Sequence, residues 1–418
     1  MTDMTLSEEL KWRGFANQTT FKDIKAIDGS PITFYWGVDP SAPSMTIGNL
    51  AAAMMVRHFI DHGHHAVLLV GGATGLIGDP DGKSEERTLK TQDEIDANKA
   101  SIVEQYRRIF AGKDFDMVDN YDWFKDMGYL EFLRDVGKHV PMRQMLSRDF
   151  VQSRLGEDGA GISYAEFSYV LIQGYDFLHL NRSKGVSLQV CGSDQWGNSI
   201  AGVELIRRIA GNEAHVWSTP LVINQTTGKK FGKSEDGAVW LDAGMTSPTQ
   251  FYQFWVNCDD LGVESYMKIY TLLSKDEIDK IMAEHRENPK ERLAQLKLAH
   301  EVTKLVHGVD ECKIAEDVTS FLTGRIGIDQ IAGETLEAMR KEIPSVKAKP
   351  GDDLLQILAG TGLAASKTEA RRFVQGNAIA INGQKVNKEQ LEEADFQNGR
   401  LLIRKGKAFK DSALIELA

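Results

Sequence analysis

Several stretches of this 418-residue chain place phosphate-binding or proton-handling side chains beside glycine. In Gly228-Lys229-Lys230-Phe231-Gly232-Lys233-Ser234, lysines crowd around glycines just after an apolar run, which suits a loop closing on phosphates through Lys230, Lys233 and Ser234; a basic surface turn is the ordinary alternative. The segment from Gly71 to Lys83 holds five further glycines, which let a ligand approach the backbone closely. It lacks the lysine spacing of a Walker loop, and Thr74 and Asp79 are its polar groups best placed to face a pocket. Lys83 and Arg87 follow in a charged run whose ordinary reading is a solvated surface. The apolar stretch Tyr164 to Leu180 carries Tyr169, Gln173 and Asp176 at i, i+4 and i+7, one face of a helix, where a carboxylate and an amide are costly unless paired. Gly192-Ser193-Asp194-Gln195 suits either a plain helix cap or contacts to a nucleotide's ribose.

The elements that must position these residues read as an α/β nucleotide-binding fold. Thr33 to Val38 is β-branched and aromatic, Asp39 to Ser44 is turn-rich, a helix runs from Leu50 toward Gly63, and Ala66 to Val70 is a second strand. This βαβ unit should have a right-handed crossover, with the glycine-dense loop at the carboxyl end of its second strand, where open α/β sheets bind ligands. Residues 91–155 read as a mostly helical insertion, with helices at Ile95 to Phe110 and Tyr129 to Val136 interrupted by Asn120-Tyr121-Asp122-Trp123. Val186 to Val190 is a strand, a helix follows to Gly211, and Thr219 to Ile223 is a further strand. From Phe251 the chain turns helical, with a capping box at Ser274 and Glu277 and a helix break at Asn288-Pro289. Pro344 and Lys347-Ala348-Lys349-Pro350-Gly351 read as a linker. Beyond it lie a capped helix from Ser366 to Gly376 exposing Arg371 and Arg372, a hairpin turn at Asn382-Gly383, and a basic strand from Leu401 to Lys410 with Arg404, Lys405, Lys407 and Lys410.

Composition narrows the class. A hydrophobic fraction of 42 % is ordinary for a globular protein with a large core, and no run of about 18 apolar residues suggests a membrane span. Met1 to Glu9 lacks the basic and apolar regions of a signal peptide, so the cytosol is the expected compartment. Cys191, Cys258 and Cys312 are too dispersed for a disulfide framework or a zinc site, and His62, His64 and His65, without a carboxylate or thiol pattern, read as a helix end. The net charge of −11 argues against a nucleic-acid coat protein. From Gly351 onward, however, ten basic residues meet nine acidic ones, so the acidic excess belongs to the rest of the chain and the two parts suit separate tasks.

Thr46-Ile47-Gly48-Asn49, at the helix entry, resembles the His-Ile-Gly-His signature of class I aminoacyl-tRNA synthetases with both histidines replaced. With Tyr35, Asp39, the Gly71 to Asp79 loop, Tyr169/Gln173/Asp176, Gly192-Ser193-Asp194-Gln195-Trp196-Gly197-Asn198 and Lys230-Phe231-Gly232-Lys233-Ser234, the chain resembles the bacterial tyrosyl-tRNA synthetases over almost its full length. The Lys-Phe-Gly-Lys-Ser segment matches that family's Lys-Met-Ser-Lys-Ser-type loop. The tail after Gly351 resembles the small RNA-binding domain of a ribosomal small-subunit protein and of pseudouridine synthases.

The resemblance implies a Rossmann-like catalytic domain over residues 1–245 with its helical insertion, an α-helical tRNA-binding domain over 246–343, a linker over 344–351 and a small α+β RNA-binding domain over 352–418. It implies a tyrosine–tRNA ligase acting on L-tyrosine, ATP with Mg²⁺, and tRNA(Tyr), as a cytoplasmic homodimer with no membrane partner and no protein metal ligands. Tyr35 and Asp176 would hold the substrate phenol; Asp79, Tyr169 and Gln173 the ammonium, whose three donors need three acceptors; Thr74 and Gln195 would complete the tyrosine side. Gly37, Asp39, Gly48, Gly192, Asp194 and Lys233 would face ATP, while Lys83, Arg87, Lys230, Lys233, Ser234, Thr46 and Asn49 would serve the phosphoryl chemistry. Arg371, Arg372, Arg404, Lys405, Lys407 and Lys410 would meet tRNA. Trp36 stands where the family has a small residue beside the ribose. Three rivals remain: a tryptophanyl synthetase, although an indole only donates and Tyr35 with Asp176 suits a phenol better; a small nucleotidyltransferase, which would lack the tail; and a non-catalytic RNA-binding or splicing protein, which would be expected to lose the lysine loop.

Overall fold

The β-branched, aromatic and aliphatic runs pair as the central strands of one sheet. The computed structural model describes residues 4–80, 88–146, 148–156, 159, 161–234, 237–323, 325–331, 333–406 and 411–418, with the backbone alone for Gln144, Asp149, Phe150, Lys233, Ser234 and Asp329. Two units result, residues 1–247 with 254–306, and residues 248–253 with 307–418.

The sheet of the first unit contains β1 (Gln18–Thr19), β2 (Thr33–Val38), β3 (His65–Val70), β4 (Phe115–Asp119), β5 (Leu188–Gly192) and β6 (His215–Thr219), in the order β1-β6-β5-β2-β3-β4. All neighbours are parallel except β1, which runs antiparallel to β6. The chain builds outward from β2 to β4 and then restarts on the other side with β5. The strand order therefore reverses between β2 and β5, and the carboxyl ends of these strands are where such sheets hold ligands.

The first unit begins with α1 (Leu6–Arg13), and α2 (Ile47–Asp61) connects β2 to β3. Between β3 and β5 come α3 (Gly72–Ile77), α4 (Gln92–Ile109), the short helices α5 (Tyr121–Phe124), α6 (Tyr129–Asp135), α7 (Met142–Leu146) and α8 (Asp149–Leu155), and the long α9 (Tyr164–Lys184); α10 (Trp196–Leu205) precedes β6. Two differences from the sequence expectation stand out. The supposed helical insertion contains β4, which joins the sheet edge beside β3, and the supposed glycine loop contains α3. The strand expected at Thr219 to Ile223 is displaced upstream to β6; Ile223 makes only an isolated bridge to Lys230.

Strand alternation turns Trp36 away from the face that carries Tyr35. Tyr35 faces α9 through Phe177, with ring centroids 5.2 Å apart, whereas Trp36 points to the opposite face against Tyr106 and Phe110. Trp36 is core, and Gly37 remains exposed beside it. The three histidines each have their own partner. His64 accepts from the Ile32 N–H and donates to the Ile27 carbonyl, His62 approaches Glu9 at 3.5 Å, and His65 approaches Asp116 at 3.7 Å. His64 is buried, contrary to the expected solvated helix end.

After the paired strands β7 (Lys233–Ser234) and β8 (Gly237–Ala238), the chain runs through α11 (Pro248–Val256), α12 (Val263–Tyr270), α13 (Lys275–Glu287) with its Ser274/Glu277 capping box, α14 (Leu293–His307), α15 (Val309–Leu322) and α16 (Gly333–Glu342). In the second unit, β9 (Ser345–Ala348), β10 (Ile379–Ile381), β11 (Gln384–Lys385), β12 (Arg400–Lys405) and β13 (Ser412–Leu417) form a sheet ordered β11-β10-β12-β13-β9, covered by α17 (Leu354–Gly360) and α18 (Lys367–Gln375). The linker expected at 344–351 is corrected here: its middle is β9, parallel to β13. A core of Val318, Phe321, Leu322, Met339 and Ile343 also continues into Leu402 and Leu414 of that sheet, so α15 and α16 pack with the tail. The hairpin turn at Asn382-Gly383 is present, with both residues at positive φ as a type I′ turn requires.

The N-terminal helix is fastened by one buried guanidinium. Arg13 pairs with Glu9 at 2.8 Å and donates to the carbonyls of Lys268, Thr271 and Leu273 around the end of α12. Removing one partner of such a pair strands a buried charge, at a cost of about 3–5 kcal/mol. Arg13→Ala should lose stability of that order in urea denaturation, and adding Glu9→Leu should recover part of it.

Candidate active site

At the carboxyl ends of β2, β3 and β4 the chain gathers carboxylates and ties each one down with N–H or O–H donors. Asp39, just past β2, accepts from the Tyr169 hydroxyl at 2.6 Å and from the Thr74 hydroxyl at 2.6 Å. Asp119, ending β4, accepts from the Gly72 and Tyr121 N–H groups and from Lys99 at 2.6 Å. Asp176 on α9 accepts from Asn120 Nδ2 at 3.1 Å and Trp123 Nε1 at 2.9 Å. Asn120 also donates to Thr74 Oγ1 and accepts from the Ala73 N–H, so one amide links β4, α3 and α9. Space requires the glycines here: a side chain on Gly71 would collide with Asp39 and Thr74, and one on Gly72 with Asp119. The close approach expected of a ligand is thus made by the protein's own carboxylates.

Burial is the first cause of the electrostatics. It pushes the Asp176 carboxyl well above its usual range, opposed by the Asn120 and Trp123 hydrogen bonds and reinforced by the Asp39 and Asp119 charges. The Tyr35 phenol is held well above its range by burial and then by the charge of Asp176. Tyr169 is raised by burial, by the charges of Asp39 and Asp79 and by its bond to Asp39, and more weakly by Asp176. Both tyrosines are therefore neutral hydroxyls in a pocket of negative potential, which favours a cationic group. Two buried atoms of this pocket, Tyr35 Oη and Gln173 Oε1, have no hydrogen-bond partner. A polar ligand would satisfy both, and burying such groups unpaired is otherwise costly.

Asp79 accepts from Gln195 Nε2, and Gln195 in turn accepts from Asn198 at 3.1 Å, so these residues meet at the start of α10. Gly37, Gly48 and Asp194 are exposed and Gly192 half-exposed. Thr46 and Asn49 are paired with each other: the Thr46 hydroxyl donates to Asn49 Oδ1 at 3.0 Å, and so does the Thr46 N–H at 2.9 Å.

The lysine loop meets this helix entry through the backbone. The Ile47 N–H donates to the Val239 carbonyl and the Val239 N–H to the Gly232 carbonyl, each at 3.1 Å. A Cβ on Gly232, which sits at φ 105°, would come within 2.9 Å of Ile47 Cγ1. Lys230 is exposed beside Phe231, whose ring is buried. Lys233 and Ser234 are placed by their backbone in β7, while Lys83 and Arg87 lie outside the described residues.

In the second unit, Arg371 pairs with Glu389 at 2.8 Å and Arg372 with Glu369 at 3.3 Å on the exposed face of α18. Lys405 lies over the Phe373 ring, 5.1 Å from its centre, with Arg372 on the same ring. Arg404, expected to meet tRNA from the basic strand, is half-buried and donates to the Leu322 carbonyl, a structural contact. Lys407 and Lys410 lie outside the described residues.

Sequence reasoning missed Asn120, Trp123 and Asp119. Their signal was the short run Phe115-Asp116-Met117-Val118-Asp119, with three apolar residues in five; recognised as a strand, it puts the residues after it at the ligand-binding edge.

Residues 28–322 match a family model described as tRNA synthetases class I (W and Y), and residues 335–410 match the Tyrosine–tRNA ligase SYY-like C-terminal domain. The chain is 43 % identical over 414 residues to a tyrosine–tRNA ligase of Bacillus caldotenax, covering 97 % of this chain and 98 % of that one. It is equally similar to one of Geobacillus kaustophilus, again 43 % over 414 residues with 97 % and 98 % covered. Among solved structures, a C-terminally truncated Aspergillus nidulans mitochondrial tyrosyl-tRNA synthetase superposes with a TM-score of 0.68 at 32 % identity, covering 75 % of this chain and 92 % of that one.

The Asn120 amide favours ionised Asp176, so its loss should cost most where Asp176 carries charge. As pH falls and Asp176 takes up its proton, that contribution disappears. Asn120→Ala should therefore lower stability by about 1–3 kcal/mol at the alkaline end of the range, for a buried acceptor left unpaired. The loss should shrink on acidification, leaving the part due to Thr74 and Ala73. Urea midpoints of both proteins across pH 4–9 measure this.

Proposed function

The chain belongs to the class I tRNA synthetases of the tryptophan and tyrosine group and, within it, to the tyrosine–tRNA ligases, and we propose that it activates L-tyrosine with ATP and transfers it to the 3′ end of tRNA(Tyr). The observation that carries the choice of tyrosine is the buried Tyr35 hydroxyl, without a partner, in the field of Asp176. A phenol can donate to one and accept from the other, whereas an indole N–H only donates. The substrate ammonium fits the negative potential made by Asp39 and Asp79 around Tyr169, with Gln173 Oε1 and the Tyr169 oxygen as further acceptors and Thr74 and Gln195 holding Asp39 and Asp79 in place.

In the first step the tyrosine carboxylate attacks the α-phosphorus of ATP and pyrophosphate leaves, so no protein nucleophile or general base is needed. Catalysis then rests on in-line positioning and on cations where charge develops. We assign that role to Lys230 and Lys233, with Ser234, at the entry of α2, and Mg²⁺ enters with ATP as substrate. Exposed Gly37 and Gly48 and half-exposed Gly192 leave room for the nucleotide, and Asp194 suits its ribose. In the second step a tRNA 3′ hydroxyl takes the tyrosyl group and AMP leaves. Arg371, Arg372 and Lys405 around Phe373 are the basic-aromatic surface best suited to tRNA phosphates. A cytosolic enzyme is the reading we adopt; among the described residues no helix is long and apolar enough to cross a membrane.

Pyrophosphate exchange into ATP, run against all twenty amino acids, tests this reading. Phenylalanine leaves the buried Tyr35 hydroxyl without a partner, at about 1–3 kcal/mol, so its exchange should fall about tenfold to a hundredfold below that of tyrosine. Comparable exchange with tryptophan or phenylalanine would overturn the assignment.

A homodimer is also proposed. Tyr129, Leu130, Met142, Leu155 and Tyr164 are large apolar or aromatic residues exposed on α6 to α9, a concentration that marks interaction surfaces. Leu130→Asp with Met142→Asp should shift the protein from dimer to monomer in sedimentation velocity; an unchanged dimer would place the interface elsewhere.

A further inference from the structure

The lysine loop is a hairpin, and both its strands rest on one side chain of α12. The Phe231 N–H donates to the Val222 carbonyl at 2.9 Å and the Asn224 N–H to the Lys229 carbonyl at 2.8 Å, while Asn224 Oδ1 caps the turn by accepting from the N–H groups of Thr226 and Thr227. On the returning strand, the Phe231 ring stacks on Tyr266 with centroids 4.1 Å apart and planes 20° from parallel, inside a cluster with Phe254, Trp255 and Tyr270. On the outgoing strand, the Tyr266 hydroxyl accepts from the Gln225 N–H at 3.4 Å and lies 3.3 Å from the Ile223 carbonyl. Its own proton goes to Asp259 Oδ1 at 2.8 Å, and the other oxygen of Asp259 accepts from Thr226 at 3.2 Å. Ile223 and Lys230 are the bridge pair that closes this hairpin.

Gly262, one turn before Tyr266, keeps space for the ring: a Cβ there would overlap the Tyr266 ring. Its φ of −92° is open to any residue, so space and not backbone conformation requires the glycine.

We propose that Tyr266 is a positioning residue for adenylate formation, setting where Lys230 meets the ATP phosphates through the Phe231 stack, with its hydroxyl on the Ile223 to Gln225 segment as the lesser contact. This rests on the reading of Lys230 as a phosphate-binding group. Cations stabilise developing charge only from prearranged positions, and a displacement of about 1 Å can cost on the order of a hundredfold in rate. Tyr266 touches neither ligand; it acts by fixing the hairpin's base.

The full-length protein carrying Tyr266→Leu, Gly262→Ala or Tyr266→Phe tests this, by single-turnover tyrosyl-adenylate formation across ATP concentrations and by tyrosine affinity in equilibrium dialysis. Tyr266→Leu removes the stack, and Gly262→Ala displaces the ring while deleting no atom. Both should slow adenylate formation or raise the ATP requirement about tenfold or more with tyrosine affinity unchanged, and Tyr266→Phe, which keeps the ring, should recover most of the rate. Folded variants with the wild-type rate would overturn the proposal, as would tyrosine affinity falling in step with the rate. Failure of both Tyr266→Leu and Gly262→Ala to fold would also overturn it, since the ring would then hold the fold and not the lysine. Absence of tyrosine-dependent exchange in the wild-type protein would instead sink the functional reading beneath it.

Discussion

The site depends on holding several carboxylates still, with Asp176 buried out of water and Asp39 and Asp119 half-buried beside it. Asp39, Asp119 and Asp176 converge behind the edge of the sheet, and each is matched by donors from a different element. Like charges so close would push apart, or take up protons, without that matching. The constraint reaches into the backbone, because Gly71 and Gly72 can carry no side chain where Asp39, Thr74 and Asp119 lie. Glycine density in this segment thus records how tightly protein acids are packed behind a pocket.

The same sheet supplies the division of labour. Its strand order reverses between β2 and β5, and in the function proposed above the groups assigned to the amino acid sit on α9 and α3, whereas those assigned to phosphate sit beside the entry of α2. Tyr35 and Gly37 share one strand with Trp36, and alternation alone sends the large indole into the core while its neighbours face the pocket.

Much of this was legible in the sequence because it rests on local rules. The βαβ unit, the face of α9 bearing Tyr169, Gln173 and Asp176, the capped helices and the Asn382-Gly383 turn follow from periodicity and turn chemistry. What was not legible depends on pairing across distance. Phe115–Asp119 is a strand because β3 lies beside it, so Asn120 and Trp123 escaped notice. Ser345–Ala348 looked like a linker, with prolines and a glycine around it, until β13 paired with it. Arg404 looked like an exposed cation because the charge of a side chain says nothing of the Leu322 carbonyl that receives it.

The Thr46–Asn49 pair bears on how this chain fills the two ends of the His-Ile-Gly-His signature that its helix entry resembles. The Thr46 hydroxyl and N–H both end on Asn49 Oδ1, so the two residues complete one small circuit at the start of α2. A histidine at position 46 keeps the backbone N–H bond and loses the hydroxyl's, whereas a histidine at position 49 removes the acceptor of both. The two positions therefore form one unequal unit: side-chain identity matters more at 49, the shared acceptor, than at 46, one of whose two donors belongs to the backbone.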